Sequence, residues 1–189
     1  MTVNVFGAGT WGIAISSYLA NKNINVNIYC RNLSTLSYLN KYNKHPHLDK
    51  NLSKNIIFSN NIDSLNGNEL NIISVPSDSI LEVVNKINKK KSKYLILSKG
   101  YHNDSGLLPS ELLNHHCNIN SDNIAVLSGP NHAEEIIQNK SAATVVSSTN
   151  KEYSKELQKL LSSEKFRVYT SIDILGVQIG GAVKNVIAI

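Results

Sequence analysis

The chain has 189 residues, 41% hydrophobic and 17% charged, with a mean hydropathy of -0.17; this is ordinary globular composition, enough for one good-sized core and the beginning of a second. No apolar run approaches the roughly 20 residues that span a bilayer, the N-terminus enters a strand pattern with no basic leader, and Cys30 and Cys117 form no CxxC pair, so a reduced, cytoplasmic protein is expected. The formal charge of +5 comes almost entirely from lysines scattered among Asn and Ile, which implies a mild attraction for anionic substrates and no nucleic-acid face.

Residues 3–7 (VNVFG) read as a strand, followed by an apolar helix from Trp11 to Asn21 and a strand over 26–30 (VNIYC). A polar, Asn- and Lys-rich middle (32–55) leads to strands at 55–60 and 70–75. Ile80, Leu81, Val83, Val84 and Ile87 make one face of a helix. The dense run Lys89-Lys90-Lys91-Ser92-Lys93 reads as a solvated helix end, with a phosphate-binding stripe as the alternative. Then come a strand at 94–98 (YLILS), a helix from Leu107 to Asn114, and strands at 124–128 and 142–148. Continuous apolar runs without strict alternation suit strands covered on both faces, as in a parallel sheet. Their alternation with helices predicts a doubly wound, Rossmann-like α/β fold with a mostly parallel sheet. After about residue 170 the chain becomes an apolar helical stretch rich in small residues that stops in mid-pattern, without a cap. The expected organisation is therefore a Rossmann-like domain over 1–170 and the start of an all-helical second domain over 171–189, with the sequence a fragment cut a little way into it.

The loop Gly7-Ala8-Gly9-Thr10-Trp11-Gly12 follows a strand and opens a helix within a βαβ unit, the context that gives GxGxxG its meaning. Gly7 allows a tight turn, Gly9 lets the backbone approach a pyrophosphate, and Gly12 lets helix and strand pack closely. The helix N-terminus adds unpaired N–H groups and a positive dipole end. In NAD-specific folds an acidic residue ends the second strand and bonds the ribose 2′-hydroxyl. Here that strand ends Tyr29-Cys30-Arg31-Asn32. Arg31 is either a partner for the 2′-phosphate of NADPH or a solvent-facing arginine. NADPH is favoured over NADH on the first reading.

Four further stretches sharpen this: Ser74-Val75-Pro76-Ser77, Ser98-Lys99-Gly100, Ser128-Gly129-Pro130-Asn131-His132-Ala133-Glu134-Glu135, and residues 176–188, GVQIGGAVKNVIA. Together with the glycine loop, and in this order, they resemble NAD(P)-dependent glycerol-3-phosphate dehydrogenase over nearly the whole chain. The resemblance implies an oxidoreductase that interconverts dihydroxyacetone phosphate and sn-glycerol 3-phosphate by hydride transfer, feeding glycerophospholipid synthesis, in a homodimer. It implies Lys184 as catalytic acid/base and Lys99 as a catalytic group meeting both cofactor and substrate. Gly129 and Asn131 would line the substrate site, with Thr10, Trp11, Arg31 and Ala133 at the cofactor. The family often carries Ser or Thr at the position of Asn131.

The chemistry of the residues agrees. A ketone accepting hydride develops negative charge on its oxygen, and an ammonium is the donor it needs. Lys184 also lies in an otherwise apolar helix, where an unpaired ammonium is costly. In the oxidation direction it must act as a neutral base, and Lys99 is the neighbouring cation expected to lower its pKa. His45, His47, His115, His116 and His132 fall in polar segments without ligand spacing, so no metal is expected and the first four read as loop histidines. In the family a helical C-terminal domain clamps the substrate phosphate, so cofactor binding with poor turnover is expected of this sequence. The rival readings are another NADP-dependent hydroxyacid or ketoacid reductase and a non-enzymatic nucleotide-binding domain.

Overall fold

The computed structural model describes residues 1–65, 70–87 and 92–187, the last three by backbone alone. Among them, strands and helices follow in the order β1 (Thr2–Phe6), α1 (Thr10–Asn21), β2 (Asn25–Tyr29), α2 (Leu33–Tyr42), β3 (Ile56–Ser59), β4 (Leu70–Ile73), α3 (Ile80–Val84) and β5 (Lys93–Ile96). Then come α4 (Pro109–Glu111, continued as a π-helical turn over Leu112–His116), β6 (Ile124–Ser128), α5 (Ala133–Ile137), β7 (Ala142–Ser147), α6 (Lys151–Leu161), β8 (Phe166–Ser171) and α7 (Ile174–Ile187). The strands make one sheet in the order β3-β2-β1-β4-β5-β6-β7-β8, parallel throughout except where β7 pairs antiparallel with β6. The order reverses between β1 and β4, which is the doubly wound arrangement and sets the place where such sheets bind ligands.

Both faces of the sheet are covered. Val3, Val5, Val26, Ile28, Ile72 and Leu95 pack on one side with residues of α1, α5 and α6; Phe6, Ile73, Tyr94, Ile96 and Val126 pack on the other with α3 and α4. Burial on both faces is why these strands read as continuous apolar runs. Helix α1 is buried without a break from Gly12 to Ala20 and packs against α5 as well as the sheet. Its Gly, Ala and Ser residues are the ones thin enough for that sandwich.

Four elements go beyond the sequence reading, among them the short helix α5. The polar middle contains α2, started by Asn32, whose side chain accepts from the Thr35 N–H at 2.9 Å, and ended by Asn43 in the left-handed region at φ +48. Helix α6 is capped by Asn150, which accepts from Glu152 and Tyr153 N–H, and it buries Tyr153, Leu157 and Leu161 along one stripe. Strand β8 extends the sheet beyond β7. The helix expected to reach Ile87 stops at Val84: beyond it the Lys86 and Ile87 N–H groups bond three residues back, a tighter turn that still buries Ile87. Of the basic run, residues 89–91 lie outside the described residues. Lys93 pairs with Glu156 at 2.5 Å and sits 4.9 Å from the Tyr153 ring centre. No helix among the described residues is long and apolar enough to cross a membrane.

Candidate active site

The glycine loop leaves the C-terminal end of β1 at the reversal point. Gly7 has φ +117, and a Cβ there would fall 2.3 Å from the Ser74 carbonyl oxygen. A Cβ on Gly12 would fall 2.1 Å from the Gly7 carbonyl oxygen, so helix and loop touch backbone to backbone. Around Gly9, in contrast, a Cβ would meet nothing within 4 Å. That opening lies at the N-terminus of α1, whose first turn carries no acidic side chain and whose N-cap glycine supplies no side-chain acceptor. Its first main-chain N–H groups are thus available to an anion. Thr10 and Trp11 begin this helix, and the indole of Trp11 packs against the core with its Nε1 buried and unpartnered.

A cavity of about 390 Å³ runs from this loop between two walls, one with Arg31, Asn32 and Thr35, the other with Ser79 and Val83. Its size falls within the range of about 300 to 1,000 Å³ usual for small-molecule sites. The loop, the open cradle at Gly9 and the uncapped helix end together fit a dinucleotide, with Gly7 at a tight turn and Gly12 at a close backbone contact. Arg31 stands exposed at the mouth, its Nη1 donating to Glu82 Oε2 at 2.8 Å.

His45 is the cavity residue that spacing did not reveal. It is 5% exposed and lines the cavity, so it is not a solvated loop histidine. The His47 N–H donates to its Nδ1 at 3.2 Å, which leaves Nε2 to carry the proton, and the ring is also bonded to the Ala8 main chain. It thereby ties the segment after α2 to the glycine loop. Burial, then the neighbouring His47, push its pKa below the ordinary histidine value, against the Ala8 bond, which raises it. The unfolded chain therefore takes up a proton near pH 6.5 that the folded chain refuses, and stability is lost as pH falls through that value towards the folded pKa. Thermal unfolding between pH 8 and pH 5 should show this loss, and His45→Asn should flatten it; an unchanged slope would mean that other groups carry the acid sensitivity.

A second cavity, of about 290 Å³, opens where α7 crosses the end of β6, and Ser128, Gly129, Val145, Gly181 and Lys184 line it. Close approach here needs small residues: a Cβ on Gly181 would fall 2.5 Å from Ser128 Oγ, and one on Gly129 would fall 2.9 Å from both Asn131 Oδ1 and Thr144 Oγ1. Lys99, just past β5, reaches the same place and points its Nζ at the Gly129 carbonyl oxygen, 3.5 Å away. Its pKa is held below the usual lysine value, first by burial among the surrounding groups and then by the charge of Lys184. The two lysines are thus an interacting pair. Asn131 donates from Nδ2 to the Ala143 carbonyl at 2.7 Å, while its Oδ1 is buried without a partner. Ala133 is buried at the start of α5, and His132 beside it faces solvent.

Helix α7 is held in place by Gln178, which donates to Ser110 Oγ at 2.7 Å and accepts from the Ser110 N–H at 3.0 Å. That buried pair fixes the helix that carries Lys184. A larger cavity of about 510 Å³ lies near the other ends of the parallel strands, between Met1, Ile24, Leu70 and Leu157. It has neither a glycine loop nor the paired lysines, so strand-end position and chemistry, not volume, pick out the site. Among the described residues no three His, Cys, Asp or Glu side chains gather as a metal site, and the two buried cysteines form no disulfide.

The chain is similar to known proteins over nearly its whole length. Residues 2–154 match the family model of the NAD-dependent glycerol-3-phosphate dehydrogenase N-terminus. A glycerol-3-phosphate dehydrogenase [NAD(P)+] of Oceanobacillus iheyensis is 36% identical over 192 residues, covering 99% of this chain and 56% of the relative. One of Neorickettsia sennetsu is 38% identical over 194 residues, covering 98% and 56%. The crystal structure of glycerol-3-phosphate dehydrogenase from Coxiella burnetii superposes with a TM-score of 0.88 at 27% identity, covering 99% of this chain and 58% of that one. The chain spans a little over half the length of these relatives. The chain belongs to the NAD-dependent glycerol-3-phosphate dehydrogenase family, of which it carries the N-terminal part.

Proposed function

We propose that this chain is the cofactor-binding part of an enzyme that reduces dihydroxyacetone phosphate to sn-glycerol 3-phosphate with NAD(P)H. The observation that carries the reading is the meeting of Lys99 and Lys184 beside Gly129, on the same strand-end edge as the glycine loop. The pyrophosphate would lie over Gly9 against the N–H groups of Thr10 and Trp11, with Ala133 beside the cofactor and Arg31 taking a 2′-phosphate. When bound, the reduced nicotinamide supplies the hydride.

Lys184 would then donate its proton to the carbonyl oxygen as negative charge develops there, and Lys99 would hold that oxygen or the substrate's phosphate by its own charge. The unpartnered Oδ1 of Asn131 is an acceptor that a substrate hydroxyl would satisfy, with Gly129 leaving it room. Residues 171–189 would begin a helical second domain that closes over this edge, and the whole protein would work as a cytoplasmic homodimer supplying glycerophospholipid synthesis.

Trp11 is the only tryptophan of the sequence, which makes the first experiment simple. NADPH, and separately NADH, is titrated while energy transfer from Trp11 to the reduced nicotinamide is followed. Saturable transfer, tighter for NADPH, is expected. Equal affinities would remove Arg31 from the 2′-phosphate, and no transfer at millimolar cofactor would overturn the cofactor site. Turnover is tested in the whole protein, with dihydroxyacetone phosphate beside ketopantoate and simple 2-oxoacids, of which only the first should oxidise NADPH.

A further inference from the structure

The ion pair at the mouth of the cofactor cavity joins its two walls. Arg31 follows β2 and lines one side with Asn32 and Thr35; Glu82 sits on α3 between Ser79 and Val83, which line the other. Arg31 Nη1 donates to Glu82 Oε2 at 2.8 Å, and Lys86 Nζ donates to Oε1 at 3.0 Å. Lys86 first, and Arg31 after it, hold the Glu82 carboxyl below its usual range, so this group is an anion throughout the neutral region.

We infer that Glu82 is a specificity-determining residue that sets how strongly the site prefers a cofactor with a 2′-phosphate over one with a free 2′-hydroxyl. The inference rests on the proposal that Arg31 reads the 2′-phosphate. The acidic residue that ends the second strand of NAD-specific folds is missing from the end of β2, and Glu82 brings a carboxylate to the same mouth from α3. A phosphate entering beside Arg31 must take the guanidinium from a carboxylate that already holds it, and must then sit close to that like charge. A 2′-hydroxyl meets neither obstacle, because it can donate a hydrogen bond to the carboxylate and leave the pair intact. Arg31 and Glu82 therefore pull the preference in opposite directions. Both side chains are more than 40% exposed, so the effect belongs to the modest class of solvent-screened pairs.

Glu82→Gln is expected to tighten NADPH about fivefold and to leave NADH within about twofold, so that the ratio of the two dissociation constants moves towards NADPH. Raising the salt to about 0.5 M should shrink the change. Glu152→Gln removes the same charge from an exposed glutamate–lysine pair on α6, outside the cavity, and should move neither cofactor. A ratio unchanged in Glu82→Gln, or one that moves equally in Glu152→Gln, overturns the inference. Arg31→Ala tests the underlying reading separately. If NADPH weakens and NADH does not, Arg31 reads the phosphate whatever Glu82 does. If Arg31→Ala leaves the ratio unchanged while Glu82→Gln shifts it, Glu82 discriminates by acting on the phosphate directly and the reading of Arg31 falls alone.

Discussion

Gly12→Ala is expected to destabilise the protein by about 3 kcal/mol or more and to abolish cofactor binding, whereas Gly9→Ala should leave the fold almost intact and still lose the cofactor. The two substitutions add the same methyl three residues apart, and the surroundings decide the outcome. At Gly12 the methyl would lie 2.1 Å from the Gly7 carbonyl oxygen, a backbone atom that is itself pinned, because a Cβ on Gly7 would fall 2.3 Å from the Ser74 carbonyl. No side chain at the end of a flexible stem can give way, so α1 must slide from β1, and the buried run from Gly12 to Ala20 moves with it. At Gly9 the methyl meets nothing within 4 Å, and the backbone, at φ -73 and ψ 173, suits alanine. Its stability cost is that of a poorer N-cap, up to about 1 kcal/mol. The space it fills is where the pyrophosphate would approach, so NADPH should weaken about 100-fold, or about 2.7 kcal/mol. Denaturant unfolding and the Trp11 titration read the two effects separately. Wild-type affinity in Gly9→Ala would mean that the phosphates lie elsewhere.

These glycines were legible in the sequence because each role is a property of the local backbone, and the loop's place between strand and helix made the roles specific. The Asn-rich stretches were harder for a related reason. Asparagine favours loops, so 32–55 reads as one, yet here it does the punctuation of regular structure. Asn32 and Asn150 start helices with their side chains, and the non-glycine residues at positive φ among the described residues are Asn23, Asn43, Asn118 and Asn139. The stripe Tyr153, Leu157, Leu161 was present in the sequence but interrupted by Lys, Glu and Gln, which hid α6 and, after it, β8. His45 has no local signal at all. It reaches the glycine loop because α2 turns the chain back over the edge of the sheet, and only the tertiary arrangement contains that fact. The lysine pair stands between these cases: the motifs named both residues, but the lowered pKa of Lys99 depends on the protein folded around its ammonium and on the approach of Lys184.

That pairing shapes what Lys184→Met should do. Hydride delivered to a ketone carbon leaves an alkoxide, and the group that protonates it has to stand beside the oxygen with its proton in place. Loss of a positioned general acid costs about 100- to 10,000-fold in rate, so kcat for dihydroxyacetone phosphate reduction by the whole enzyme should fall by that factor. Lys184 lines the cavity at Gly129 and not the one at the glycine loop, so the dissociation constant for NADPH should stay within about threefold. Lys184→Arg is expected to keep the charge but not the rate, since a guanidinium gives up its proton far less readily than an ammonium. A second readout is independent of turnover. Lys184 is one of the two causes that hold Lys99 below the usual lysine range, so removing its charge should raise the Lys99 pKa and slow the reaction of Lys99 with an amine-directed reagent at pH 8. If the rate collapses while Lys99 reacts as before, Lys184 is the proton donor but the two ammoniums do not face one another. If Lys99 slows while the rate survives, the pair exists and the proton comes from Lys99.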